Sequence, residues 1–194
     1  MQKKLAHNGD CMGKKIFFIT SNAHKFSEAQ KLLKKCGISI KRKNLHLEEV
    51  RAQECSEVAK ACAIEAYKRI RKPLFVEDSG LFIKSLNGFP GVYSASVLQK
   101  IGLRGILALL KGKRRDAEFI CAICYVDNSK LVQICKRCKG KISKMPSGRK
   151  GFGYDPIFVP QGGKLTFAQD EKTKAELSHR TAALKALCAR LAKR

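Results

Sequence analysis

The chain has 194 residues, 44% of them apolar, and carries 40 Lys and Arg against 16 Asp and Glu, a formal charge of +24. That length admits one α/β domain or two closely packed lobes. No apolar run is long enough for a membrane span or a signal-peptide core, so a soluble cytoplasmic protein is expected. Residues 1–14 read as a basic N-terminal extension and 15–194 as the folded domain. Lys15 to Thr20 predicts a buried strand. Ser21-Asn22 then supplies cap chemistry for a helix over Ala23 to Lys35, whose Phe26, Ala29, Leu32 and Leu33 share an apolar face. Gly37 ends that helix, and Ile38 to Lys41 alternates like a second strand.

After the acidic Glu48-Glu49, the residues Val58, Ala61, Cys62, Ala63, Ala66 and Ile70 form the apolar side of a second helix, stopped by Pro73. Leu74-Phe75-Val76 is a short buried strand with Glu77-Asp78-Ser79-Gly80 at its C-terminal end. Leu81 to Leu86 extends again, Asn87 to Gly91 turns, and Leu98 to Leu110 is helical. Ala117 to Val126 and Leu131 to Arg137 pair as a hairpin about the turn Asp127-Asn128-Ser129-Lys130. The stretch from Pro146 to Pro160 is rich in Gly and Pro with three aromatics, which suits a ligand-binding loop. Ala175 to Lys193 closes the chain as one helix. Strands alternating with helices predict an α/β fold.

The sharpest local signal is an apolar strand ending in two acids. Adjacent strand residues point to opposite faces, so Glu77 and Asp78 have different jobs unless the chain turns at once. Open α/β sheets bind ligands beyond strand C-termini. Carboxylates there suit Mg²⁺, a hard ion that bridges phosphates, with Glu49 as a third donor. Thr20-Ser21-Asn22-Ala23-His24-Lys25 puts small polar groups and a lysine at a helix N-terminus, where backbone N–H groups favour phosphate. It is neither a P-loop nor a dinucleotide fingerprint, and an ordinary cap accounts for it equally. In Gly151-Phe152-Gly153-Tyr154-Asp155-Pro156, Phe152 or Tyr154 could stack on a base, and Asp155 could accept a base proton or position a lysine; a tight turn with core aromatics is the plainer reading. Ser178-His179-Arg180 is expected to begin the exposed part of the last helix, as purine or phosphate donors or simply as surface.

Two features need separate weighing. Basic residues concentrate at Lys41-Arg42-Lys43, Lys111 to Arg115, Lys136 to Lys141 and the C-terminal helix, a field that attracts polyanions. It fits either a nucleic-acid binder or a nucleotide enzyme with a basic surface, and no zinc-finger, stacking or recognition-helix pattern chooses between them. The nine cysteines are an odd set in a chain too large to need a disulfide scaffold, and they read as mostly reduced, buried thiols. Cys121, Cys124, Cys135 and Cys138 have the spacing of a small zinc site. A turn centred on Asn128-Ser129 sets Cys121 beside Lys136 and Cys124 beside Gln133, however. That register puts Cys121 and Cys138 on one face and Cys124 and Cys135 on the other, so no zinc centre is expected.

Five segments in order, Thr20 to Lys25, Phe75 to Phe82, Leu86 to Ser94, Gly151 to Phe158 and Ser178 to Arg180, resemble the inosine triphosphate pyrophosphatase family. The likeness runs from about Lys15 to the C-terminus. It implies an elongated mixed β-sheet flanked by helices, two lobes with a nucleotide cleft between them, a homodimer, and Mg²⁺. The implied reaction converts ITP, dITP and XTP to the monophosphate and pyrophosphate. Carried over by motif, Thr20, Ser21, Asn22, Lys25 and Ser79 resemble phosphate-binding residues. Glu49, Asp78 and Glu77 resemble the metal centre, with Asp78 also the base that prepares water. Phe152, Gly153 and Tyr154 resemble the base pocket, and Asp155, Lys174, His179 and Arg180 the groups that read purine oxygens or hold the pocket. The sequence departs from the family at Cys62, where a phosphate-facing lysine is usual, at Ala175, where Asn usually follows the lysine, and at Lys139, usually acidic or polar. Lys60 is two residues from Cys62, about 200° around a helix, and is no simple substitute. Contact between the basic surface and nucleic acid is expected to be non-specific. A nucleic-acid binder without hydrolysis and a pyrophosphatase for modified pyrimidines are the rival readings.

Overall fold

The computed structural model describes residues 15–47 and 52–192. Its elements are β1 (Ile16–Ile19), α1 (Ala23–Lys35), β2 (Ile40–Lys43), α2 (Cys55–Ile70), β3 (Leu74–Ile83), β4 (Pro90–Gly91), α3 (Ser94–Leu109), β5 (Asp116–Val126), β6 (Leu131–Ile142), β7 (Phe158–Pro160), α4 (Glu171–Leu177) and α5 (His179–Ala192). The strands form one mixed sheet of order β2-β1-β3-β5-β6-β7, with β4 paired to β3. β1 runs parallel to β2 and β3, and the other pairings are antiparallel. The expected α/β class is therefore present.

Alternation along β3 divides the core. Phe75 joins Phe18, Cys121, Ile123 and the inner sides of α1 and α5. Leu74 and Val76 face Ala59, Ala63 and Ala66 of α2. The far end of the sheet packs Leu81, Ile83 and Phe119 against Ile106 and Leu110. Small alanines on α2 let that helix lie close to the strands, so apolar surface is buried at short range.

Three predicted elements are redrawn. β3 does not end at its acids but continues to Ile83, paired with β5 from Leu74 opposite Val126 to Ile83 opposite Ala117. Buried Leu81 and Ile83 extend the apolar pattern beyond the polar residues and keep the strand in the sheet. The third helix begins at Ser94 and is interrupted at Gly102, whose φ of 61° is easily reached only by glycine. The last helix is two, because Ser178 adopts ψ 150° and its hydroxyl accepts from the Thr181 amide, capping α5. The hairpin register agrees with expectation: Cys121 pairs with Lys136 and Cys124 with Gln133.

Candidate active site

The site begins as a gap in strand pairing. β1 accompanies β3 only as far as Val76, and β4 joins the same edge only at Leu81. Between them, among the described residues, Glu77 to Gly80 are held in the sheet by β5 alone. The gap opens a cleft of about 170 Å³, lined among others by Asn22, Lys25, Asp78, Ser79, Phe152 and His179. Its rim is tightly built. A Cβ on Gly80 would stand 2.1 Å from the Gly91 carbonyl oxygen. Ser94 Oγ accepts from the Leu81 amide at 2.8 Å and donates to the Gly91 carbonyl at 2.6 Å.

The loop after β1 supplies one wall. Asn22 caps α1, its Oδ1 accepting from the amides of His24 and Lys25 at 3.0 and 3.1 Å. Thr20 Oγ1 accepts from the Asn22 amide, so it shapes the turn, while Ser21 is exposed; neither lines the cleft. Lys25 reaches across to β3, where its Nζ lies 3.4 Å from Glu77 Oε1 and donates to the Glu77 carbonyl at 3.5 Å.

On the α1/α5 face of β3 lies a closed network of charges. Arg180 Nε donates to both oxygens of Glu77 at 3.0 Å, Nη1 to Glu28 at 2.8 Å and Nη2 to Ser79 Oγ at 3.1 Å. Lys174 bonds Glu28 and Asp155, each at 2.7 Å. Asp155 also accepts from the Phe152 amide at 2.7 Å. This pins the aromatic loop, and a Cβ on Gly151 would lie 2.2 Å from Asp155 Oδ2. Burial works to raise the Glu77 carboxyl, but the charges of Arg180 and Lys25 outweigh it and hold it below its usual range. Burial wins at Asp155, whose carboxyl is raised despite Lys174. Phe152 is held from several sides: the Lys174 ammonium and the Arg180 guanidinium lie 4.6 and 5.4 Å from its ring centre, and His24 stacks on it at 5.0 Å.

Asp78 occupies the opposite face, beside α2. Burial raises its carboxyl, countered by the Lys25 charge and by hydrogen bonds from the Cys55 thiol and the Ser79 amide. Its Oδ2 is buried with no hydrogen-bond partner among the described residues. Burial and the nearby Asp78 charge push the thiols of Cys55 and Cys62 up. His179 is also incompletely satisfied. Its ring stacks on Phe119 at 4.5 Å while Nδ1 is buried without a partner among the described residues. Burial, then the charges of Arg180, Lys25 and Lys174, lower it well below the ordinary histidine value, so the imidazole is neutral.

Several expectations change. His179 and Arg180 are not exposed; both are 4% accessible, because the break at Ser178 turns the start of α5 into the protein. Tyr154 is not a free stacking ring. It is packed in the core, its hydroxyl donates to the Ser94 carbonyl at 2.8 Å, and burial pushes it up to about 12. Glu77 does not share a metal face with Asp78, and its carboxylate is taken by Arg180 and Lys25. Glu49 lies outside the described residues, and among those described no group of three or more His, Cys, Asp and Glu gathers as a metal cage. Sequence reasoning missed Glu28, the anion joining Lys174 to Arg180. It lies three residues after Lys25, on the same side of α1, and that helical spacing was the available signal. It also missed Cys55, Ser94 and the His24 stack, which depend on distant pairings.

An acid whose buried oxygen has no partner among the described residues, a lysine beside it and an aromatic loop braced by cations make a cleft that suits an anionic, ring-bearing ligand. The chain belongs to the Ham1 family, whose profile matches residues 16–190. It is 43% identical over 173 residues to a dITP/XTP pyrophosphatase of Methanopyrus kandleri, covering 88% of this chain and 92% of that protein. It is 42% identical to the dITP/XTP pyrophosphatase of Thermococcus kodakarensis, covering 88% and 94%. Among solved structures, a HAM1 protein from Coxiella burnetii superposes with a TM-score of 0.80 at 29% identity, covering 93% of this chain and 100% of that one.

Proposed function

We propose that this protein hydrolyses deaminated purine nucleoside triphosphates, dITP, XTP and ITP, to the nucleoside monophosphate and pyrophosphate. The observation that carries the reading is Asp78: a buried carboxylate with one oxygen unpartnered among the described residues, beside Lys25, in the cleft of a Ham1-family chain. An orphaned anionic oxygen fits a cation, and Asp78, with Glu49, would hold Mg²⁺. That ion, when bound, neutralises triphosphate charge and polarises the phosphoryl group.

The protein's own groups account for the remaining steps. Asn22 and Lys25 bind phosphate oxygens at the N-terminus of α1, where the helix end favours anions. Asp78 takes a proton from water as the water oxygen bonds to the α-phosphorus. The bond from that phosphorus to the bridging oxygen breaks, and pyrophosphate leaves with Lys25 stabilising its charge. Phe152 stacks on the base. His179 and Arg180 donate to the purine 6-oxo edge, where an amino group would leave buried donors unpaired. The Glu77–Arg180–Glu28–Lys174–Asp155 network holds these donors in place before substrate arrives.

The nucleotide lies in a cleft between two lobes. The protein is cytoplasmic and homodimeric, and its positive surface makes general contact with nucleic acid. The deciding experiment is product analysis over a panel of triphosphates with and without Mg²⁺. The expected result is Mg²⁺-dependent pyrophosphate release, fastest with dITP and XTP. Release of orthophosphate, or equal turnover of ATP or a pyrimidine triphosphate, overturns the proposal.

A further inference from the structure

A second concavity lies apart from the catalytic cleft and is wider than it. A groove of about 740 Å³ lies beside β7 and shares no lining residue with the cleft. Sheet register builds its floor. Phe82 pairs with Glu118 and Glu118 with Lys139, so these three stand side by side across β3, β5 and β6. Asp116 and Lys141 form the next pair on that face. The apolar cluster with α3 packs on the other face, through Leu81, Ile83 and Phe119. At this end the sheet therefore presents charged side chains beside Val159 and one half-buried aromatic, Phe82, whose ring edge rests against Gly88 and Gly91 and the α2-side cluster.

Three ammonium groups of the groove stand outside its ion pairs among the described residues. Arg114 takes Asp116 at 3.0 Å, and Arg137 takes Glu118 at 2.8 Å. Among the described residues no ion pair sets an acid against Lys84, Lys139 or Lys141, all of which are exposed in the groove. Lys139 and Lys141 are two residues apart on one strand, about 7 Å, and point to the same side. Evenly spaced like charges on a rigid strand match a polymer whose charges are also evenly spaced.

We propose that this groove binds single-stranded nucleic acid, with Lys84, Lys139 and Lys141 on successive phosphates and Phe82 as a stacking platform for a base. Release of counterions from the strand drives such binding, and an aromatic contact adds to it without demanding sequence. The +24 field of the chain steers the strand inward. A second copy of this chain is a poorer occupant, because the same groove offers its twin, among the described residues, three unpaired cations and two acids already engaged by Arg114 and Arg137. The inference goes beyond the hydrolase reading and stands independently of it, since it uses none of the cleft residues.

Fluorescence anisotropy with a labelled oligothymidylate of about 20 nucleotides tests it across a salt series. The wild-type protein is expected to bind, more weakly as salt rises. The triple variant Lys84→Ala, Lys139→Ala, Lys141→Ala loses at least about tenfold in affinity. Its log–log salt slope shrinks by about 2, as three single-strand phosphate contacts require. A control with equal charge loss, Lys31→Ala, Lys34→Ala, Lys185→Ala, keeps most of the affinity. Both variants keep the wild-type melting temperature and solution mass. The proposal is overturned if the wild type does not bind, if the control loses as much as the groove variant, or if polyglutamate of matched charge competes equally. A groove variant that changes solution mass overturns it in favour of an interface between copies.

Discussion

Glu77 and Asp78 are consecutive residues of one strand, yet they live in opposite electrostatic worlds. Glu77 is buried and answered by Arg180 and Lys25, and Arg180 is held in turn by Glu28. Asp78 is pressed against thiols, and one of its oxygens has no partner among the described residues. A network whose members are all satisfied holds shape. A group left unsatisfied at the cost of burial marks where the ligand's own charges complete the site. The difference separates a carboxylate free to meet a ligand from one already committed to its neighbours.

The largest break in that contrast comes from Asp78→Asn. Hydrolysis of dITP should fall by about 10²–10⁴-fold, the usual worth of a positioned proton acceptor. Turnover of that variant equal to the wild type in a pyrophosphate-release assay would remove Asp78 from the mechanism. The corresponding change on the other face, Glu77→Gln, acts on stability. Arg180 and Lys25 lose their buried anion, and the protein should lose about 3–5 kcal/mol in denaturant titration. A loss near zero would show that Glu28 alone suffices for Arg180.

The two carboxyls also predict opposite pH behaviour. Asp78 is raised, so the folded chain holds that proton more tightly than the unfolded one. Its contribution to stability is complete below the ordinary carboxylate range and is lost as pH rises through the raised value. Glu77 is lowered, so its contribution is present above the ordinary carboxylate range and is lost as pH falls toward the lowered value. In the presence of a chelator, Asp78→Asn should therefore melt higher than the wild type at about pH 7 and lose that advantage at about pH 4. A variant that melts lower at neutral pH would show that Lys25 and the hydrogen bonds to Asp78 outweigh the burial of its charge.

Two smaller effects sharpen the comparison. Cys62 lies half-buried on α2 close enough to sense the Asp78 charge. Cys62→Lys sets a cation there and should add about 1 kcal/mol of charge stabilisation, about fivefold in rate; an unchanged or lower rate would show that the lysine does not reach the triphosphate. His24 stacks on Phe152, and a purine can use that ring face only by displacing it. His24→Ala removes the competition, worth about 0.5–1.5 kcal/mol, and should lower KM by about two- to tenfold. A raised KM would instead make His24 a second wall of the base pocket.

Much of the architecture could be read along the chain. The first helix, with its Asn22 cap, and the hairpin register around Asn128-Ser129 follow from local rules, and both match the structure. The two-residue period also placed Glu77 and Asp78 on different faces. What local rules could not supply was the course of β3 beyond its acids. Glu77 to Gly80 look like a strand end when read alone, but pairing with β5 carries them through the middle of the sheet. Likewise Ser178-His179-Arg180 has a surface composition and becomes buried only because Ser178 breaks the helix and Glu77 and Glu28 stand ready to receive the arginine.

The sequence by itself therefore determined the α/β grammar, the acidic and aromatic motifs and the opposite faces of Glu77 and Asp78, because helical and strand periods act over a few residues. The tertiary structure decided where the cleft opens, which carboxylate stays unsatisfied, and that Tyr154 supports the pocket with its hydroxyl. Those outcomes depend on a missing strand neighbour, on burial and on charges brought together from distant segments, and no local pattern encodes them.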